Sequence, residues 1–553
     1  MKQRKPSQDL FTLSCDSGMQ FKRECWSKRR ARGACSEISP PQNHECLHQS
    51  PVLATDSHSR SVDMSSAVAP NVTAAGQRAG KKAAAASTAA KASKTETIRY
   101  SHRKAATYDE KDIPTFDVPQ FTVKDLLSAI PAHCFERSAF KSFTYVFADF
   151  AMIAALGYAA SFIDPTVAST FSGLKSNALS PYVSLGVQQA ATRFAAWSAY
   201  WILQGMVFTG VWVIAHECGH QSFSTSKTLN NAVGWVLHSA LLVPYHSWRI
   251  SHARHHAATG HLTRDEVFVP RTRQQRGRLP LQPAPKSADD SNDEDAVEKE
   301  VGAIKVDETF GEWLAEVLED APAYNLLYIF IQQLLGWPLY LLRNASGQLH
   351  YPKFTNHFNP DAIIFDKRHR MQIIVSDIGI AATLSALTAW GLLSKGGFSD
   401  VFRYYVIPYL WCNHWLVMIT YLQHTDPALP HYKAEAWTFP RGALCTIDRN
   451  WLGPVGPYLF HGIAETHVLH HVSSKIPHYN AWEATEALKA RLGHHYVKST
   501  ENVFVSLWKS INTCKFVDEN DQVAFYRTVD GVPHRVISPD SAYASDSGIA
   551  MSE

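Results

Sequence analysis

Runs of about twenty mostly apolar residues limit this chain more tightly than any other feature of its sequence. Four such runs occur, at 143–163, 195–215, 373–393 and 404–422. A hydrocarbon layer about 30 Å thick is crossed by about 20 residues of helix, and within it the backbone must satisfy its own hydrogen bonds. The expected fold class is all-α: an integral membrane protein with four transmembrane helices. Two further runs are weaker. The run 233–243 is short, and 324–342 is interrupted by Gln332, Gln333, Gly336 and Pro338. Both are expected to be interfacial or re-entrant.

The polar segments bound this membrane domain, which is expected over 106–530. Residues 1–105 are rich in Ser, Ala, Lys and Arg, as in "RAGKKAAAASTAAKASK". Such a segment buries too little apolar surface to offset its ordering entropy, so a disordered tail is expected. A second polar stretch, 271–305, passes from basic (Arg271, Arg273, Arg276, Arg278) to acidic (Asp289, Asp290, Asp293, Glu294, Asp295) and reads as a flexible insert. Residues 531–553 read as a C-terminal tail. The cysteines are scattered, without a CxxC pair, which points to a reduced cytosolic tail rather than a metal site there. The first thirty residues are charged and lack an apolar core, so no signal peptide is expected. A net charge of +3 gives no argument for nucleic acid.

Three histidine clusters follow the apolar runs. "HECGH" carries His216 and His220, "HARHH" carries His252, His255 and His256, and "HVLHH" carries His467, His470 and His471. Residues at i, i+3 and i+4 share one side of a helix, so each cluster can aim its rings at a common point. Any one of them alone reads as a surface pair; three with the same spacing point to a shared metal centre. Imidazole suits Zn, Cu, Fe and Ni alike. Eight ring ligands exceed the four of a tetrahedral zinc site, so two metals with open positions fit better, as a binuclear redox or hydrolytic centre.

Parity of crossings supports convergence. With a cytosolic N-terminus, four spans leave all three clusters on the cytosolic face, in a helical cap. The basic residues agree: the expected lumenal loops hold only Lys175, Arg193, Lys395 and Arg403, while Lys124, Arg137, Lys141, Arg343, Lys367, Arg368 and Arg370 flank the spans on the other side. His424 closes the fourth span at the same depth and is a ninth candidate ligand, against the bland reading of a histidine at a helix C-terminus. Asn413, deeper in that span, is expected to hydrogen-bond between helices. Glu217, Asp265, Glu465, His238, His246, His261 and His461 are candidates to hold the second ring nitrogens of the ligands. Asp377, inside the third span, has no partner that the sequence identifies.

The words "AHECGHQSFS", "PYHSWRISHARHHAATGH" and "FHGIAETHVLHHVSSKIPHYNAWEAT" resemble the histidine boxes of integral-membrane fatty acid desaturases, most of all the fungal Δ12 (oleate) acyl-lipid type. The resemblance covers roughly 110–530 and leaves out the N-terminal tail and the insert. It implies two Fe ions held by the boxes and by a histidine near His424, with O2 as co-substrate. It implies an acyl lipid substrate, oleoyl phospholipid above all, converted to linoleoyl chains. It implies the endoplasmic reticulum membrane and electrons from cytochrome b5 and its reductase, since this chain has no "HPGG" haem word. An ω3 (Δ15) desaturase, a hydroxylase or an acetylenase would share these boxes. A membrane metal carrier would need ligands along the spans, whereas these clusters lie beyond the span ends.

Overall fold

The structure, a computed structural model, describes residues 100–283, 309–541 and 543. Most of the expected tail, 1–99, and the acidic half of the insert, 284–308, lie outside the described residues.

Ser138 starts α1 (Ala139–Ala160) by accepting from Lys141 N, and the rod continues through Ser161 into α2 (Ile163–Phe171). Ser184 caps α3 (Leu185–His220), which runs back antiparallel. The hairpin is pinned at both ends: Ser142 Oγ donates to Phe223 O at 2.7 Å, and Asp164 accepts from Arg193 Nε at 2.6 Å and Trp197 Nε1 at 3.0 Å. At about 1.5 Å per residue, a helix of 36 residues is about 54 Å long, well beyond a hydrocarbon layer of about 30 Å. Its length leaves several turns beyond such a layer, and His216 and His220 occupy the last two turns. Gln221, left-handed at φ 64°, stops the helix directly after His220.

Next, α4 (Lys227–Ala240) and α5 (Tyr245–Ala258) form a shallow hairpin. It packs on a later helix, Arg370–Leu393: Thr383 Oγ1 donates to Ser239 O at 2.8 Å, and His246 N donates to Ser376 Oγ at 2.9 Å. Gly234 permits the fold-back, because a Cβ there would sit 2.3 Å from the Tyr245 ring. Then α6 (Phe310–Asp320), with a Thr309–Glu312 capping box, leads into α7 (Pro322–Arg343), with proline at its first position and left-handed Asn344 at its end.

The last long pair is α8 (Arg370–Leu393) and α9 (Ile407–His424). A π-helical turn, Phe402–Val406, precedes α9, and Arg403 reaches Asp164 at 3.2 Å on the side away from the histidines. Gly205 of α3 lies so close to α9 that a Cβ would meet Trp411 Cβ at 2.3 Å, a small-residue crossing. The cap adds α10 (His467–Val472) and, after another helix, α11 (Val503–Thr513).

Among the described residues, four helical stretches are long and apolar enough to cross a membrane: Ala139–Phe171, Leu185–His220, Pro322–Arg343 and Lys367–Leu393. This set differs from the sequence expectation in one exchange. The run 404–422 lies within a helix that Asn413, His414, Gln423 and His424 make too polar by composition. The run 324–342 instead forms one unbroken helix through Pro338. Yet both ends of α7 face the histidine side: Asn325 Nδ2 donates to Asn512 of α11 at 2.8 Å, and Tyr340 OH lies 3.2 Å from Ser251 of α5.

Three polar boundaries also move. Residues expected in the N-terminal tail begin to pack at Ser101, which is fully buried and donates to Glu316. The basic half of the insert is folded: Arg273 is buried and bonded to Leu279 O, Val529 O and Glu316. Val536–Ile537, expected in the C-terminal tail, pairs in parallel with Thr115–Phe116. In each case a polar side chain or a strand edge finds a partner distant in sequence, which local composition does not reveal.

Candidate metal centre

The nine candidate rings meet at the ends of α3, α5, α9 and α10. His216, His220, His252, His256 and His470 form one group of converging ring nitrogens; His255, His424 and His471 form a second. His467 joins the second, its Nε2 lying 3.1 Å from Nε2 of both His424 and His471. In the first group His216 Nε2 lies 3.0 Å from His252 Nε2, and His256 Nε2 lies 3.2 Å from His252 Nε2. Metal–imidazole bonds of about 2.1 Å would place neighbouring nitrogens about 3.0–3.4 Å apart. The observed spacings are thus those of ligand atoms around an ion, and the all-nitrogen donor set fits a borderline transition metal.

The two HxxHH helices interlock. On α5, His252 and His256, one turn apart, face the first group while His255 turns to the second. On α10 the assignment reverses: His467 and His471 face the second group and His470 the first. Adjacent positions on a helix diverge by about 100°, so a neighbouring pair of imidazoles must serve two different points. His256 and His471, one from each group, stack at 4.1 Å and 10°.

Burial first, and neighbouring imidazoles second, hold His252, His256, His470 and His471 well below the usual histidine range; burial takes His467 down to about 3. Neutral rings at pH 7 are the form that binds metal.

Partners for the second ring nitrogens are supplied locally. Asp265 Oδ1 lies 2.6 Å from His255 Nδ1, while its Oδ2 accepts from Gly260 N at 2.9 Å. Thr259 Oγ1 lies 3.1 Å from His471 Nδ1. Glu217 Oε1 lies 3.4 Å from His216 Nδ1 and 4.0 Å from His470 Nδ1. Of the other candidates, Glu465 accepts from Trp451 N, His461 pairs with Asp149, and His261 accepts from Thr263 N. His238 is fully buried among Trp212, Tyr245 and Trp248, and His246 has its Nδ1 unpartnered among the described residues. Asn413, expected to bond between helices, is buried with its Nδ2 unpartnered among the described residues. Asp377 Oδ1 finds no partner among the described residues.

Three contributors escaped the sequence reading. Thr259 carried no signal beyond following the second box. Phe268 lies flat on His424, at 5.6 Å and 8°. Asp448 is buried and accepts from Val468 N at 2.7 Å, fixing the start of α10; burial pushes its carboxyl up to about 7.

An apolar cavity of about 320 Å³ runs beside both groups. His216 and His252 face it from the first, His255, His424 and His467 from the second. Trp212, Val213, Trp337, Leu416 and Val417 carry it down between α3, α7 and α9. An elongated apolar substrate in this cavity would pass both ligand groups.

Residues 195–287 and 315–502 match the family model described as fatty acid desaturase. A Delta(12) fatty acid desaturase of Mortierella isabellina is 46% identical over 412 residues, covering 74% of this chain and 92% of that protein. The Delta(12) fatty acid desaturase of Mortierella alpina matches with the same identity and coverage. An oleate hydroxylase of Claviceps purpurea is 41% identical over 424 residues, 73% of this chain and 78% of that protein. With a family match across half its length and relatives aligned nearly end to end, this chain belongs to the fatty acid desaturase family.

Proposed function

We propose that this chain is an acyl-lipid Δ12 desaturase that converts oleoyl to linoleoyl chains. The observation that carries this reading is the apolar cavity lying against both histidine groups. In this reading His216, His220, His252, His256 and His470 hold one iron, and His255, His424, His467 and His471 hold the other.

Bound iron supplies, with O2 and two electrons, an oxidising power that no side chain has. The balance is one hydrogen from each of two neighbouring methylenes, O2, two electrons and two protons, giving one double bond and two waters. The chain's own residues do the remaining work. Asp265 and Thr259 orient His255 and His471, and Glu217 sets a carboxylate beside His216 and His470. Trp212, Trp337 and Leu416 exclude water and confine the acyl chain beside the ligands. One methylene more or less changes apolar contact by only about 1–3 kcal/mol, so the position of the bond must come from the cavity's shape and an anchored end.

The contacts of α7 with α5 and α11 support one membrane placement. We take α1, α3, α8 and α9 as the spans, with α7 returning to the side it left and the histidines cytosolic. The Mortierella relatives support the Δ12 position and the Claviceps relative supports hydroxylation as a second reading. The membrane is that of the endoplasmic reticulum, and the electrons come from cytochrome b5 and its reductase.

Expression in a host that makes oleate but not linoleate tests the proposal. A new diene with its second double bond at carbon 12 is expected. A hydroxy acid would favour the second reading, a triene from fed linoleate an ω3 activity, and unchanged lipids would sink all three.

A further inference from the structure

The loop 265–276 joins the ligand groups to a pair of surface arginines that the reaction above does not use. Asp265 holds His255, and Phe268, three residues on, covers His424 and walls the cavity. Phe268 does so at φ 58°, a conformation that a bulky residue adopts only where its surroundings compel it. The chain thus leaves the ligands in a fixed direction. Arg271 follows within about 10 Å of backbone.

Two arginines of this segment are already engaged: Arg273 with Glu316 and two carbonyls, and Arg278 with Glu319 at 3.4 Å. Arg271 is different. Among the described residues its partly buried guanidinium has no carboxylate and no side-chain hydrogen bond. Burial, and then the charge of Arg276, weaken its hold on a proton, with the Tyr328 phenol as the favourable neighbour. Arg276 is exposed, and its contact with Glu319 is a loose 3.9 Å. Tyr328 lines the cavity yet is 48% exposed, so it marks a mouth. Arg271 thus stands three residues beyond the cavity wall formed by Phe268, and Arg276, held by side chain only through the loose Glu319 contact, follows five residues later.

We propose that Arg271 and Arg276 bind the phosphate of the acyl carrier, and that the loop 265–276 thereby fixes the distance from the anchored head to the metal ligands. The inference rests on the desaturase reading. Guanidinium groups match phosphate in charge and in fork geometry. The anchor supplies what the cavity wall lacks, since apolar contact barely separates one methylene from the next. The same chemistry serves a phospholipid or a coenzyme A ester.

The test uses the purified iron-loaded enzyme with its electron donor and three substrates: oleoyl phosphatidylcholine, oleoyl-coenzyme A and dioleoylglycerol. Wild type should prefer one of the phosphate esters, and that preference names the carrier. The Arg271→Ala/Arg276→Ala double variant should raise KM for that ester about tenfold with little change in kcat. Its double bonds should also spread to neighbouring positions, and the double lysine variant should restore much of the KM. If the alanine variant does not fold, binding of spin-labelled phosphatidylcholine and diacylglycerol to detergent-solubilised wild type decides: a preference for the phosphate lipid, lost on adding inorganic phosphate, supports the anchor. Equal use of dioleoylglycerol by wild type, or an unchanged KM and a single product in the variant, overturns it. A wild type that desaturates none of the three sinks the desaturase reading itself, which the other outcomes leave standing.

Discussion

The two histidine groups are built from the same side chain and held by different forces. In the first group the rings are braced by aromatic packing. Trp212 stacks on His216 at 5.5 Å and 21°, and Trp248 stacks on His252 at 4.5 Å and 21°. In the second group hydrogen bonds do more of the work, from Asp265 to His255 and from Thr259 to His471, with Phe268 over His424. The difference follows from position. The first group sits on helices that also carry Trp212 and Trp248 one turn earlier, so its neighbours are large apolar rings. The second is enclosed by loops of the cap, which bring short polar side chains and backbone N–H groups. The first half should therefore respond to lost volume and the second to lost hydrogen bonds.

The largest effect should come from the ligands. His252→Ala and His471→Ala should each abolish desaturation and remove about half of the bound metal, because each deletes a ring at the centre of its group. Metal analysis of the purified variants checks this; a variant that keeps its full metal content would show that the two groups do not act as separate sites. Next, Asp265→Ala should weaken metal binding by about 10–100-fold, confined to the second half. Chelator titration should then show one loose and one tight metal, and two equally loosened metals would break the contrast. Smallest for metal binding, Trp248→Leu should cost about 3 kcal/mol of stability by opening a cavity at a buried ring. Thermal unfolding in detergent reads that loss, while metal affinity should fall only a few-fold; a loss as large as that of Asp265→Ala would mean that stacking and hydrogen bonding brace the rings equally.

The ligands were legible because helical spacing is local. His216 and His220, or His467 and His471, declare a shared face within five residues, and the interlocking of the two HxxHH helices follows from the angle between neighbours. His424 was legible by depth, as the residue closing an apolar run. The supports were less so. Asp265 could be suspected because it follows the second box, whereas Asp448 reaches α10 across 20 residues and Phe268 reaches His424 through a turn that no pattern encodes. The same limit applied to α7: its apolar content suits a span, whereas its contacts with α5 and α11 join elements far apart in sequence.

By itself the sequence determined the helical membrane class, the nine convergent histidines and the polar segments flanking them, because apolar length and turn-by-turn periodicity are properties of contiguous residues. Only the tertiary structure decided which ring joins which group, what α7 packs against at each end, and where the cavity runs beside the histidines. Those outcomes depend on packing between elements far apart in sequence, where close approaches such as Gly205 on Trp411 and buried partners such as Asp448 fix one arrangement among many that the same pattern allows.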